Sequence, residues 1–171
     1  MNLIHSSRVT SQFTDKVRYI SDLLNIDPNW LMWVMYFEST LNHRAVNKTS
    51  GATGLIQFMP STARGLGTTT ASLLQMTAVE QLDYVYAYLK PYKNRMNAMV
   101  DVYLAVFFPL AMNKPPEYVL QTSTLSASKI ASQNAGLDLN KNGQITRTEV
   151  EAKVSVGLPS EYQAIMKKKT Q

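Results

Sequence analysis

Apolar residues recur at intervals of three and four along most of the chain, which is the spacing of one face of an α-helix. The clearest case consists of Trp30, Trp33, Val34 and Phe37. Asp27 followed by Pro28 is typical of an N-cap with proline at the first helical position, so we predict a helix over residues 29–37. Because strand signals are nearly absent, the sequence predicts a mostly α fold.

The same spacing predicts further helices. They lie around residues 17–24, from Pro60 to about Gly65, from Thr77 to Pro91 and from Asn97 to Phe108. Thr77 and Glu80 form a capping-box pattern that marks the start of one of them. Residues 40–58 contain two glycines and no sustained period, so they are expected to form an ordered loop.

The composition of the 171 residues is that of a globular protein, with 45% hydrophobic and 17% charged residues. The net charge of +5 suits a polyanion such as nucleic acid, anionic lipid or an acidic cell-wall polymer. The absence of cysteine excludes disulfides and thiolate metal sites. The longest apolar run, residues 102–112, contains Pro109 and is too short to cross a bilayer, and the N-terminus lacks a secretory leader pattern. We therefore expect no membrane span and no signal peptide.

One sequence motif occupies residues 138–149, which read DLNKNGQITRTE. This pattern resembles the calcium-binding loop of the EF-hand family, with Gly143 at the sharp bend and Ile145 directed into the core. The predicted metal ligands are Asp138, Asn140, Asn142, Gln144 through its backbone carbonyl, Thr146 and Glu149. With only two carboxylates, such a loop would bind structural calcium weakly, on the order of 10⁻⁴ to 10⁻³ M. The alternative is a turn followed by a helix that Thr146 and Glu149 cap without metal.

Glu38 falls at the C-terminal end of the helix predicted over residues 29–37, beside its apolar face. A carboxyl group held against apolar surface is disfavoured as an anion, so its pKa rises. It can then stay protonated near neutral pH and donate a proton to a leaving group, as cleavage of a glycosidic bond requires. The glycines of residues 51–57, GATGLIQ, would let backbone approach a bulky polymer.

Two blocks of sequence carry a family resemblance. Glu38-Ser39, followed by GATGLIQFMPSTA over residues 51–63, resembles the signature of the soluble lytic transglycosylases, lysozyme-like enzymes that cleave peptidoglycan. The resemblance is close over residues 30–67 and continues as a helical pattern to about residue 116. It implies an α+β lysozyme-like domain at residues 1–116 with a deep substrate groove. Residues 117–171 would then form a C-terminal helical segment packed on the same domain.

The resemblance implies roles for individual residues. Glu38 matches the single catalytic acid of the family, and Ser39 matches the residue that supports it. The implied substrate-binding residues are Ser39, Gly54, Leu55, Gln57 and Met59, with Tyr103 in the place of a tyrosine from a later family motif. The implied reaction cleaves the bond between N-acetylmuramic acid and N-acetylglucosamine and leaves a 1,6-anhydro end. It needs no cofactor.

The sequence departs from the family pattern at three places, and alternatives stay open. Proline is replaced by His43, serine is replaced by Asn47, and the later Ala-Tyr-Asn block has no clear asparagine. Asp83 or Asp101 could supply a second acid, in which case the protein would be a hydrolytic muramidase on the same fold. A glycan-binding module without activity is a further alternative, and a nucleic-acid binder would rest on charge alone.

The YLAVFFP stretch at residues 103–109 and the loop at 138–149 are similar to transglycosylase modules of bacteriophage particles. This resemblance implies a tail-associated virion protein that acts on the host wall, in the periplasm or outside the cell. The expected partners are peptidoglycan glycan strands and other virion proteins. We expect no nucleic-acid partner, and a monomer in isolation.

Overall fold

A computed structural model describes residues 2–167 of the chain. Its α-helices are α1 Ser11–Leu24, α2 Pro28–Ser39, α3 Pro60–Gly65, α4 Thr70–Gln75, α5 Ala78–Leu89, α6 Met99–Phe107, α7 Ala127–Gln133 and α8 Arg147–Val154. Short 3-10 helices cover Ser6–Arg8, Lys90–Tyr92, Pro109–Ala111 and Ser160–Tyr162. Within residues 2–167, strand pairing is confined to isolated antiparallel bridges. The predicted mostly helical fold is therefore confirmed. None of these helices is long and apolar enough to span a bilayer.

The chain divides into two compact units, one up to Asn94 and the other from Arg95 onward. The predicted boundary between the lysozyme-like domain and the C-terminal segment lies later, at residues 116 and 117. The second unit therefore contains α6, which the sequence groups with the preceding helices, as well as α7 and α8.

Helix α2 is the most deeply buried helix of the first unit. It begins as predicted, because the Asp27 side chain accepts a hydrogen bond from the backbone N–H of Asn29 and Pro28 occupies the first turn. All seven residues from 29 to 35 are buried. The predicted single apolar face was therefore incomplete, because leucine and methionine residues carry the apolar surface around the whole helix.

Helix α1 packs against both α2 and α5. Thr10 caps α1, and Thr77 and Glu80 form the predicted capping box at the start of α5. Lys16 of α1 lies 2.8 Å from the carboxylate of Asp83, and it also donates a hydrogen bond to a backbone carbonyl at the start of α5. These contacts fix the first turn of α5 against α1.

Two short helices were not predicted. Thr69 caps α4 and Ser126 caps α7, each by accepting a hydrogen bond from a backbone N–H three residues later. Serine and threonine are common in turns as well as at caps, so six- and seven-residue helices leave little periodicity to detect.

A buried ion pair organises the second unit. Asp101 of α6 is 1% exposed and accepts hydrogen bonds from the backbone N–H groups of Asn97 and Asn113, at 3.1 and 3.0 Å. Its carboxylate also lies 3.2 Å from the guanidinium of Arg147, the first residue of α8. This carboxylate therefore joins the start of α6, the segment after it and α8.

Replacing Asp101 with asparagine should strongly destabilise the protein. Breaking a buried ion pair by removing one partner typically costs about 3–5 kcal/mol. The Glu151 carboxylate, 3.9 Å from the same Arg147 guanidinium but 52% exposed, would offset only part of that loss. Chemical denaturation monitored by circular dichroism measures the loss. The matched control is Asp83→Asn, because the Asp83 carboxylate is 69% exposed and exposed pairs contribute only about 0–1 kcal/mol. Equal losses for the two variants would contradict the structural role of Asp101.

Candidate active site

Glu38 is the penultimate residue of α2 and follows a continuous run of buried side chains. It is partly exposed, so it can reach solvent, yet burial raises its pKa from 4.5 to about 7. Desolvation is the physical cause, because moving a carboxylate away from water disfavours the charged form. The prediction that its position raises its pKa is confirmed.

Ser39 connects the end of α2 to the glycine-containing loop. Its hydroxyl oxygen lies 3.0 Å from the carbonyl oxygen of Met35 and 2.9 Å from that of Leu55. The hydroxyl has a single proton to share between these two acceptors. Ser39 is buried and directly follows Glu38, so its hydrogen bond to Leu55 holds the backbone of the loop close to the end of α2.

The loop turns sharply over residues 54–57. The backbone groups of Thr53 and Phe58 exchange two hydrogen bonds, of 3.0 and 2.8 Å, and Gln57 donates its N–H to the carbonyl of Gly54. Both Gly54 and Gln57 have positive φ, at +83° and +54°. The predicted ordered loop is thus a tight turn closed by backbone pairing.

The side chain of Gln81, on α5, braces this turn from the protein interior. Gln81 is fully buried, and its Oε1 accepts a hydrogen bond of 3.1 Å from the N–H of Leu55. Its amide nitrogen donates to the carbonyls of His43 and Leu73, at 2.7 and 2.8 Å. Sequence reasoning missed Gln81, because nothing in the sequence indicates which distant backbone groups a glutamine in a helix will bind.

Sequence reasoning also missed Tyr88, which lies on α5 near Glu38. Its ring packs edge-on against Phe58, with the ring centroids 6.4 Å apart, and lies near Tyr92. Burial raises the pKa of Tyr88 to about 12, and the charges of Tyr92 and Glu38 add to this effect. Tyr88 is therefore close enough to Glu38 for the two groups to interact electrostatically. Its position three turns into an apolar helix gives it the appearance of an ordinary core residue.

The residues predicted to bind substrate differ in their accessibility. Gly54 and Leu55 are buried, whereas Met59 is 44% exposed and Gln57 is partly exposed. The amide nitrogen of Gln57 donates to the carbonyls of Ala45 and Gly54. Its carbonyl oxygen is then the group best suited to contact a sugar. Substrate contact by these residues stays a prediction.

Three other candidates have clear surroundings. Tyr103 is buried in α6 and stacks on Phe107, with the ring centroids 5.7 Å apart, and its contact with substrate stays a prediction. Asp101 is occupied by the buried pair described above, and Asp83 by its pair with Lys16. Both aspartates considered as second acids therefore have structural partners.

The C-terminal loop is organised around Glu149. One carboxylate oxygen accepts hydrogen bonds from the N–H groups of Leu139 and Asn140, and the other accepts from the N–H and hydroxyl of Thr146. Burial acts to raise the pKa of Glu149, but these hydrogen bonds outweigh it, so the pKa is lowered overall. The capping box that was the alternative to a calcium site is therefore present.

The other predicted ligands also point into the loop. Asp138 accepts hydrogen bonds from the N–H groups of Asn142 and Gly143. The side-chain oxygen of Asn140 accepts from Asn142, whose own side-chain oxygen accepts from the N–H of Gln144. Side-chain oxygen atoms from positions 1, 3, 5 and 12 of the motif thus accept hydrogen bonds from the loop backbone, and calcium binding by them stays a prediction.

The mostly helical fold, with a desolvated glutamate at the end of a buried helix beside a glycine-containing turn, is consistent with the lysozyme-like class of proteins. A comparison with protein families matches residues 17–107, more than half of the chain, to the transglycosylase SLT domain. The chain belongs to this family, which confirms the resemblance carried by Glu38-Ser39 and residues 51–63. Membership implies lytic transglycosylase activity on peptidoglycan. No curated protein matches the chain.

Replacing Glu38 with glutamine should stabilise the protein as pH rises. The pKa of Glu38 is higher in the folded protein than its ordinary value of 4.5, so folding favours the protonated form. That preference is fully present below about pH 4.5 and is lost as pH rises through about 7. We expect Glu38→Gln to match the wild type near pH 4 and to be more stable above pH 7, by on the order of 1–3 kcal/mol.

Chemical denaturation at several pH values tests this expectation. Glu80→Gln is the matched control, because hydrogen bonds from Thr77 lower the pKa of Glu80. Its stability relative to the wild type should change with pH in the opposite direction. If Glu38→Gln behaves the same at acidic and neutral pH, then Glu38 is not desolvated in solution.

Proposed function

We propose that this protein is a lytic transglycosylase that cleaves the β-1,4 bond between N-acetylmuramic acid and N-acetylglucosamine in peptidoglycan. Glu38 acts first as the acid and then as the base. The observation that carries the proposal is the desolvation of Glu38, which raises its pKa to about 7 in a chain of the transglycosylase SLT family. A group with this pKa is present in both protonation states at neutral pH.

The proposed reaction needs one proton donor and one internal nucleophile. Glu38 donates its proton to the glycosidic oxygen while the bond from that oxygen to C1 of the muramic acid breaks. The resulting carboxylate then accepts the proton of the muramic acid 6-hydroxyl as its oxygen bonds to C1, which gives the 1,6-anhydro ring. Glu38 ends the cycle protonated, and no water is consumed.

The surroundings of the two aspartates favour this reaction over hydrolysis. A glycosidase that uses water usually needs a second carboxylate to activate the water or to trap the sugar. Asp101 is buried in its pair with Arg147, and Asp83 is paired with Lys16. The internal hydroxyl makes a second acid unnecessary. A hydrolytic muramidase stays the alternative that product analysis must exclude.

Glu38→Gln should abolish the release of soluble fragments from purified peptidoglycan, because the amide of glutamine is not an acid and cannot protonate the leaving oxygen at neutral pH. Asp83→Asn should keep the wild-type rate. Mass spectrometry of the wild-type products should show anhydro ends, which are lighter than reducing ends by one water. Measurement of the rates by turbidity and of the ends by mass spectrometry covers both parts.

Different outcomes point to different errors in the proposal. Products with reducing ends would make the protein a muramidase. Cleavage by Glu38→Gln at the wild-type rate would show that Glu38 takes no part in the chemistry. Binding to peptidoglycan without any soluble product would make the protein a glycan-binding module. Loss of activity in Asp83→Asn would restore that residue as a second acid.

We also propose that the loop at residues 138–149 binds calcium as a structural ion. The donors of the loop are carboxylate and amide oxygens, which suit a hard cation. The loop supplies only two carboxylates, Asp138 and Glu149. It is therefore not a cluster of three or more Asp, Glu or His side chains, and the described residues, 2–167, contain no such cluster placed to hold a metal. Each carboxylate oxygen of Asp138 accepts one hydrogen bond and has a second lone pair, whereas each oxygen of Glu149 already accepts two hydrogen bonds. Binding should therefore be weak and add to a loop that is already closed.

Calcium at millimolar concentration should raise the melting temperature of the wild type, because a ligand that binds only the folded state stabilises it. Asn140→Asp should increase this shift by adding an anionic ligand, whereas Asp138→Ala should abolish it. Differential scanning fluorimetry with calcium and with a chelator measures all three. Identical melting curves for the three proteins in both solutions would mean that the capping box alone closes the loop.

The setting that we propose is a bacteriophage particle that opens the host wall locally. The support is the similarity of residues 103–109 and of the loop at 138–149 to modules of such particles. Other virion proteins would be the partners in that setting.

A further inference from the structure

The buried amide of Gln81 has all three of its hydrogen-bonding groups in use. Its carbonyl oxygen accepts from Leu55, and its two N–H groups donate to His43 and Leu73. A buried polar group with complete hydrogen bonds is rigid, because every alternative orientation leaves a donor or acceptor unpaired. Gln81 is therefore a fixed point against which three chain segments are set.

Those three segments all follow the candidate catalytic acid in the sequence. His43 lies in the loop that follows Glu38, Leu55 lies in the tight turn, and Leu73 lies in α4. The peptide groups on either side of Leu55 are held from opposite directions. Gln81 accepts the N–H of Leu55, and Ser39 donates to its carbonyl. Gln81 is thus connected through one residue of the turn to the neighbour of Glu38.

The close approach of Gly54 to the side chain of Gln81 leaves no room for a side chain at residue 54. A Cβ atom on Gly54 would lie 2.5 Å from the Oε1 of Gln81, and the positive φ of Gly54 also excludes most side chains. The turn can approach Gln81 this closely only because residue 54 is glycine. Gly54, which the family resemblance assigned to the substrate groove, has here a second physical reason to be glycine.

A charged side chain could not replace Gln81. Lysine and arginine have no acceptor for the N–H of Leu55, and an ionised carboxylate has no donor for the two carbonyls. An amide supplies both without a charge, so it positions the turn without adding a charge near Glu38.

We propose that Gln81 is a positioning residue that holds the proposed substrate-binding turn, residues 54–57, at a fixed position relative to Glu38. This inference rests on the proposed function. A displacement of about 1 Å between a catalytic group and its substrate can cost on the order of 100-fold in rate. Loss of the brace should therefore affect the rate of the folded enzyme, and not only the stability of the fold.

The first test compares Gln81→Met with Val85→Ala. Methionine keeps the length and the helix propensity of glutamine but forms none of the three hydrogen bonds. Val85 is buried one turn later on α5, and its side chain has no hydrogen-bonding group. Both variants should lose stability. At a temperature at which both are fully folded by circular dichroism, Gln81→Met should lose about 10- to 100-fold in kcat on soluble glycan strands. Val85→Ala should keep its kcat.

Gln81→Glu provides a rescue experiment. The ionised carboxylate would place a second oxygen against the carbonyls of His43 and Leu73, whereas the protonated form can accept from Leu55 and donate to one carbonyl. The activity of Gln81→Glu relative to the wild type should therefore rise as pH falls. A constant ratio across pH, or equal kcat losses in Gln81→Met and Val85→Ala, would reduce Gln81 to a structural residue. If Gln81→Met does not fold, the Gln81→Glu ratio decides alone.

Amide hydrogen exchange separates the positioning role from the proposed chemistry. The N–H of Leu55 should exchange faster in Gln81→Met than in the wild type, while the amides of α5 beyond residue 85 change little. If the wild type cleaves no glycan, the proposed function fails, yet this measurement still tests the brace. If exchange at Leu55 is unchanged, the brace is wrong even in an active enzyme.

Discussion

The carboxyl group of Glu38 is held partly out of water at the end of a helix that is buried on every side, and the rest of the site depends on this placement. The seven residues from 29 to 35 are all buried, and partial exposure begins only with Tyr36 and Phe37, just before Glu38. A carboxyl group at the point of emergence is therefore close to apolar side chains and still accessible. That combination raises its pKa to about 7 while the side chain stays partly exposed to solvent. A glutamate one turn earlier would be inaccessible, and one in the following loop would be solvated.

The loop beside Glu38 is ordered by uncharged groups. Ser39 and Gln81 hold Leu55 by its carbonyl and its N–H, and the backbone pair between Thr53 and Phe58 closes the turn. The second unit uses the opposite solution, since the charged pair of Asp101 and Arg147 joins its helices. The difference is consistent with the chemistry, because a fixed charge beside Glu38 would shift its pKa away from neutrality.

Local features of the fold could be predicted from the sequence, whereas long-range contacts could not. The start of α2 at Asp27 and Pro28 and the capping box at Thr77 each depend on residues within a few positions of one another. The raised pKa of Glu38 could be predicted from its apolar neighbours in the helix, although the burial that causes it belongs to the whole fold. Gln81 binds Leu55 and His43, which lie 26 and 38 residues away, and no periodicity indicates such partners. Helices α4 and α7 are too short to show a period. The loop from 40 to 58 was predicted to be ordered, but the reason for its order lies on another helix.

In the proposed mechanism, the position of Glu38 would allow a single acid to serve both steps. A proton donor must hold its proton until the bond breaks, and a base must be free to accept one immediately afterwards. A carboxyl group with an ordinary pKa is ionised at neutral pH and fails the first step, whereas one buried deeply enough to stay protonated throughout fails the second. Desolvation to a pKa near 7 lies between these limits, and its cost in stability at neutral pH is the physical trace of the function. In the proposed reaction, the uncharged side chain of Gln81 would keep the turn in place while the proton of Glu38 leaves and returns.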